Sequence, residues 1–298
     1  MCQIGCCAAI FIRITIKDNW TILAASYYAT PVLVISMLAL GAAIGWAIGG
    51  RWLRTTIMLV VACVCLVWWH QVSWFDQAES LRPSDVKILF WNVARGQKGW
   101  IEVVETIRRY DPHVVGLVEA RRASAELDRE WLQNFPELEM TDVGGGMLLM
   151  TRGTIQQISY GRLGMTGGYK CIEIELNRRP LNVILVDISK NLFVSRRTPI
   201  EDLANVVESL GAEPVIVMGD FNTPGDSVYF NALREHMVNA FEHRGDGYAA
   251  TWPIWPVPMP ALHIDHIWLN RNVTISRCDA LWPPGSDHRP LLVHVRDW

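Results

Sequence analysis

The sequence predicts an α/β sandwich placed behind two membrane-spanning helices. Three observations lead there: charge is distributed unevenly along the chain, two long uncharged runs stand at its front, and strand-like and helix-like segments then alternate without a strict βα repeat. The chain has 298 residues, 27 basic and 30 acidic, with 50% hydrophobic side chains and a mean hydropathy of +0.16. Residues 1–75 hold only five charges, Arg13, Lys17, Asp18, Arg51 and Arg54, whereas the remaining 223 residues are about 23% charged, close to the usual globular share. The front carries a net +3 and the rest a net −6. These figures exclude a disordered chain, a disulfide-stapled miniprotein and a uniformly soluble enzyme. An acidic C-terminal part offers no overall field to collect nucleic acid.

Taken in order, residues 1–18 read as an N-terminal tail. Residues 19–50 and 55–75 read as two transmembrane helices, since neither contains a charged side chain and about 20 apolar residues suffice to span a bilayer. Trp20, Trp52, Trp68, Trp69 and Trp74 lie near the run ends, as an interfacial belt would place them. Gly41, Ala42, Gly45 and Gly49 are small enough to let the helices approach closely. Arg51 and Arg54 between the runs favour a cytoplasmic turn and an extracytoplasmic C-terminal domain; Arg13, Lys17, Arg82 and Lys87 pull the other way. Seven cysteines include no CxxC pair, which argues against zinc.

Residues 76–85 read as a polar linker, and 86–298 as the catalytic domain. Strands are predicted at Val86–Trp91, Val114–Glu119, Gly146–Thr151, Ile155–Tyr160, Lys170–Leu176, Leu181–Asp187, Pro214–Gly219, Ile264–Leu269 and Leu291–Val295. Ile101, Val104 and Ile107 form one helical face. Thr198–Pro199–Ile200–Glu201 reads as a capping box opening a helix to about Leu210.

Polar residues of particular types recur at the strand ends. Asn92 follows VKILFW, Glu119 ends VVGLVE, Asp220 and Asn222 follow PVIVMG, Asp265 lies in HIDHIWL, and Asp287 and His288 lie in GSDHRP. Carboxylates, amides and a histidine at strand ends suit a hard divalent cation with open positions for phosphate oxygens.

The ordered set FWNV, GLVE, GDFNTP, IDHIWL and GSDHRPL resembles the endonuclease/exonuclease/phosphatase (DNase I-like) superfamily over roughly residues 84–298, and Gly144–Ile155 resembles its G-x-x-I-L-S-R strand. With two membrane helices in front and the tryptophan- and proline-rich stretch TWPIWPVPMPALHIDHIWL, the chain is similar to the YafD/VanJ-like bacterial branch. The resemblance implies a four-layer αββα sandwich and a magnesium (or manganese) cofactor. It implies Glu119 as principal metal ligand with Asn92 and Asp287 close to the metal, Asp220 positioning or deprotonating water, Asn222 on a phosphoryl oxygen, and His288 on the scissile phosphate, held by Asp265. It further implies an integral protein of the bacterial plasma membrane acting on a phosphate ester or pyrophosphate, lipid-linked in the leading reading.

One departure stands out. Asp187 occupies the place where the superfamily usually has a histidine. Three readings stay open: Asp187 takes another role, such as toward a second metal; Lys190 or Arg196 supplies the positive charge; or activity is reduced. The alternatives to a membrane-anchored phosphoesterase are a DNase I-like endonuclease and a catalytically weakened, membrane-tethered binding protein. Arg95 is a candidate for contact with an anionic substrate, Arg121 and Arg122 for a solvated helix start, and Trp252 and Trp255 for either a loop packed over the sandwich or a membrane-facing lip. His266 is expected to face away from the site, and His113, His236, His243 and His263 to be structural.

Overall fold

In the computed structural model, the residues described are 2–120, 131, 133–253 and 259–298. Two mixed sheets pack face to face. The larger runs in the order β1 (Trp74–Asp76), β11 (Gly245–Tyr248), β15 (Thr274–Ala280), β16 (Leu291–Asp297), β2 (Val86–Asn92), β3 (Val114–Val118), β5 (Met147–Thr151) and β4 (Glu139–Gly144). The smaller runs in the order β10 (Met237–Asn239), β14 (Asp265–Asn270), β9 (Val215–Asp220), β8 (Arg179–Ile188), β7 (Gly167–Leu176) and β6 (Thr154–Leu163). A small ribbon pairs β12 (Trp252–Pro253) with β13 (Pro260–Leu262).

The central strands read as continuous apolar runs because both their faces are covered. Ile88, Phe90, Val183, Leu185, Ile216, Met218, Ile267 and Leu269 meet in the core between the sheets. Their alternates turn outward under helices. Leu89, Trp91, Val115 and Leu117 pack on Val103 and Ile107 of the helix Trp100–Tyr110, while Ile184, Val186, Val217 and Trp268 pack on Ile200, Leu203 and Val207 of the helix Arg197–Ser209. The layers are helix, sheet, sheet, helix. Helix Arg197–Ser209 does not use the expected capping box: it starts one residue before Thr198, and the Ser195 hydroxyl accepts the Arg197 N–H instead.

The front of the chain departs from expectation in three respects. The tail is helical, as α1 (Cys2–Phe11) followed by a π-turn over Ile12–Ile16. The run 19–50 is broken into α2 (Thr21–Ala29) and α3 (Val32–Ile48), bent by 69°. Pro31 is the cause, because it has no N–H to continue the helix and pushes Thr30 out of helical geometry. The Tyr27 carbonyl, which residue 31 would otherwise bond, accepts from Arg13 Nη2 at 2.9 Å, and the Thr30 carbonyl accepts from Arg13 Nε at 3.1 Å. Among the described residues, only α4 (Trp52–Ser73) is by itself long and apolar enough to cross a membrane; α2 and α3 pass that test only as a bent pair. Helices α3 and α4 meet through Ile35, Ala39 and Ala62 and through Ala42, Ala43 and Met58, whereas a side chain added at Gly41 or Gly45 would touch nothing.

The expected linker is laid along the domain. Strand β1 follows α4 directly and pairs with β11, the Glu79 N–H donates to the Ser276 carbonyl, and buried Asp85 accepts from Ser276 Oγ at 2.8 Å. Residue 18 is also tied to the domain: Asp18 is fully buried and accepts from Ser227 Oγ and from the Val228 N–H, and its carbonyl accepts from the Tyr229 hydroxyl.

Strands β8 and β9 approach so closely that a Cβ at Gly219 would lie 2.2 Å from the Val186 carbonyl oxygen. Gly219→Ala is expected to cost about 1–3 kcal/mol of stability, seen as a fall of several degrees in Tm. Gly41→Ala, with nothing within 4 Å of the new methyl, leaves Tm unchanged or raised.

Candidate active site

The alternation that turns Ile216, Met218, Ile267 and Leu269 into the core also turns Asp220 and Asp265 toward the gap between the sheets, at its rim. The register sets three aspartates abreast, with Asp187 of β8 beside Asp220 of β9 and Asp220 beside Asp265 of β14. From the opposite sheet, the same alternation sends Asn92 inward after Ile88 and Phe90. Its amide Nδ2 donates to Asp220 Oδ2 at 2.9 Å, bridging the two sheets, and its Oδ1 accepts the Ala94 N–H at 2.9 Å. The Asn222 N–H donates to Asp220 Oδ1 at 2.9 Å. Both Asp220 oxygens are thus oriented by donors.

His288 enters from the loop before β16. Its Nδ1 lies 2.9 Å from Asp265 Oδ2, both residues being buried. Burial alone would lower the imidazole pKa, but the Asp265 carboxylate outweighs it and raises the value to about 9. The loop is fixed by several bonds: Trp91 Nε1 donates to the His288 carbonyl, Ser286 Oγ to the Asn92 carbonyl, and the His288 N–H to Ser286 Oγ. Beside it, the buried Arg289 guanidinium donates to the carbonyls of Tyr248, Ala250, Ala280 and Leu281 and lies 3.7 Å from the Trp282 ring centre. Burial and the neighbouring Asp265 raise the Asp220 pKa, which His288 partly opposes. Asp187 is pushed up to about 6 by burial and by Glu119, against the pull of Lys190, His288 and Arg95.

Glu119 follows β3 with a left-handed φ of 51°, and its Oε2 lies 3.3 Å from Arg95 Nε. Asp287 Oδ2 accepts from Trp252 Nε1 at 3.2 Å. Asn222 has one amide N–H committed to the Ile188 carbonyl at 2.8 Å, which leaves one for a ligand. Together with Asp287, His288, Asp220 and Asn222, the residues Lys190, Leu192, Pro224, Trp252, Leu262, Ile264, Tyr28 and Ala29 line one cavity of about 520 Å3. Lys190 reaches this cavity. Arg196 lies behind it, buried with its guanidinium 5.2 Å from the Tyr28 ring centre. Of the two cations, Lys190 is therefore the one placed to offset Asp187.

His266 faces the other way, as alternation requires after Asp265: its Nε2 lies 2.9 Å from the Thr223 carbonyl, and its ring packs on Phe221, Phe230 and Trp268. His263 is half-buried, and desolvation of its ring lowers its pKa to about 3. Arg121, Arg122 and Trp255 lie outside the described residues. The sequence reading missed Arg289, although it stands inside GSDHRP, and it missed Tyr28 and Ala29, which no motif marks.

The charges present fit a divalent cation. Glu119, Asp187, Asp220, Asp265 and Asp287 are set against His288, Lys190 and Arg95, and buried Asp265 Oδ1 has no hydrogen-bond partner. Among the described residues, Asp220, Asp265 and His288 bring potential ligand atoms within 4.8 Å of one another. That closeness follows from the His288–Asp265 bond, which already occupies Nδ1. The expected ligands Glu119, Asn92 and Asp287 offer oxygen atoms, the type magnesium takes, and these are engaged here by Arg95, the Ala94 N–H and Trp252 respectively.

Residues 89–288 match the model of the Endonuclease/Exonuclease/phosphatase family. Among solved structures, a mannosyl-6-phosphatase of Bacteroides thetaiotaomicron superposes with a TM-score of 0.57 at 15% identity, covering 71% of this chain and 99% of that one. The human Nocturnin catalytic domain with bound sulfate gives 0.57 at 18% identity, over 73% and 95%. D. rerio TDP2 complexed with a single-strand DNA product gives 0.55 at 15%, over 72% and 99%. At these identities the likeness is one of fold. No curated protein matches the chain by sequence.

A group whose folded pKa is raised stabilises the fold below its unfolded value and loses that contribution as pH rises through the folded one. In chelator-treated protein, the Tm is expected to fall between about pH 6.5 and about pH 9 as His288 loses its proton. Asp265→Asn removes this fall, which thermal unfolding across that range will show.

Proposed function

We propose, from the premise that the chain belongs to the Endonuclease/Exonuclease/phosphatase family, that it is a membrane-anchored, magnesium-dependent phosphoesterase acting on a lipid-linked phosphate ester or pyrophosphate. Members of the superfamily are phosphoesterases and nucleases. The observation that carries the reading is that His288, bonded to Asp265, and Asp220, paired beside Asp265, both line a largely apolar cavity.

His288, held protonated by Asp265, presents a positive charge and a free Nε2 to a phosphoryl oxygen. Asp220, with both oxygens oriented and its pKa raised, takes the proton from the attacking water. The remaining Asn222 N–H and the Lys190 ammonium hold further phosphoryl oxygens, Lys190 supplying the charge that Asp187 cannot. Glu119, Asn92 and Asp287 would hold magnesium, which when bound polarises the phosphoryl oxygens as a Lewis acid. The reaction is an in-line displacement by water with no covalent enzyme intermediate.

Anchoring is supported by α4, and a lipid-linked substrate by the apolar cavity wall. The orientation we favour puts the domain outside the cytoplasm. Arg13 supports this, because it is buried against Asp226 and the α2 carbonyls and so is not a free interfacial charge competing with Arg51 and Arg54. An endonuclease is the second reading, and the same assay separates it.

Full-length protein with magnesium is expected to hydrolyse a polyprenyl pyrophosphate and to leave plasmid DNA intact. Chelation abolishes turnover, and Glu119→Ala and His288→Ala each lower kcat by about 100-fold or more. Turnover that survives both substitutions overturns the assignment. For topology, a reporter fused after Trp298 should be active only outside the cytoplasm, and cytoplasmic activity would reverse the orientation.

A further inference from the structure

One wall of the cavity does not come from the catalytic domain. Tyr28 and Ala29, at the end of α2, line it together with Leu192, Trp252, Leu262 and Ile264 and with His288 and Asp220. Tyr28 is fixed in place. Its hydroxyl donates to Asp18 Oδ2 at 3.1 Å, and the Arg196 guanidinium lies 5.2 Å from its ring centre. Asp18 is in turn bonded to Ser227, Val228 and Tyr229, five to seven residues beyond Asn222 in the chain. The break at Pro31 allows α2 to end at this rim, and Arg13, bridging the last α2 carbonyls to Asp226, ties that end down a second time. Two separate charged residues of an almost uncharged segment are thus spent on placing Tyr28 and Ala29.

We propose that α2 forms the apolar half of the substrate site, and that the hydrocarbon chain esterified to the phosphate lies against Tyr28 and Ala29. Tyr28 is then a specificity-determining residue, and Asp18 and Arg13 are positioning residues. The proposal rests on the phosphoesterase reading and deepens it. A volume of about 520 Å3 would hold well over ten waters at about 30 Å3 each, far more than a phosphoryl group needs. The groups that would hold that phosphoryl group, His288, Asn222 and Lys190, take up only part of the lining. The surplus volume is bounded by aromatic and aliphatic side chains, which favour an alkyl or isoprenoid chain over a sugar or a nucleotide base with its many polar atoms. The chain enters from the α2 side, where the helices carry the exposed apolar surfaces of Ile22, Met37 and Leu40.

The test uses full-length protein in nanodiscs of zwitterionic lipid with magnesium, and two probes with the same phosphate and different chains, ethyl phosphate and hexyl phosphate. Wild type is expected to bind hexyl phosphate at least tenfold more tightly. Tyr28→Asn, which adds a polar group and no charge, is expected to bring the ratio of the two affinities close to one. Ala29→Asn does the same, and because Ala29 is exposed this variant keeps the test valid even where Tyr28→Asn does not fold. Equal binding of the two probes by wild type overturns the proposal, as does an equal loss of both in the Ala29 variant. A chain-length preference without turnover, unaffected by His288→Ala, leaves the wall in place and overturns the phosphoesterase reading instead.

Discussion

Three aspartates on neighbouring strands cannot all carry charge in a buried rim unless positive charge or protons join them. The sheet register imposes this, since Asp187, Asp220 and Asp265 are paired abreast by the backbone itself. The rest of the site answers that constraint. Asn92 reaches from the other sheet to donate to Asp220, His288 is drawn onto Asp265 and kept protonated, and Lys190 is brought to the cavity lining. The elements that hold these answers in place follow in turn. Trp91 and Ser286 hold the His288 loop, and Arg289 ties its far side to four carbonyls at and just beyond the ends of β11 and β15.

Much of the domain is legible in the sequence because its strands are covered on both faces. Runs such as VKILFW and PVIVMG leave no ambiguity about burial, and the polar residue that follows each run marks where the gap between the sheets opens. The period of two also separates neighbours: it puts Asp265 into the gap and His266 behind the sheet. Short strands such as β10 and β11 carry no such pattern, because three or four residues give too few alternations to read.

The front of the chain was less legible, and the reason is physical. A run of apolar residues shows that a segment avoids water, but not whether it is straight. Pro31 was visible, yet its effect depends on Arg13 lying within reach of the carbonyls that the break exposes. Asp18 likewise reads as a flanking charge until Ser227, Val228 and Tyr229 are brought to it from more than two hundred residues away. Contacts of that range leave no local signature. For the same reason the contribution of Tyr28 to the cavity could not be read from any motif around Asp220 or His288.

The direct passage from α4 into β1 has a mechanical meaning. No slack residues separate the last helical turn at Ser73 from the strand that pairs with Gly245–Tyr248, and Trp69 and Trp74 both rest on Tyr248. Such a joint transmits tilt. With α4 in a bilayer, the domain could neither swivel nor rise on a tether, so the mouth of the cavity would stay at one depth and one heading. Encounter would then become a two-dimensional search in which the substrate drifts to a stationary port.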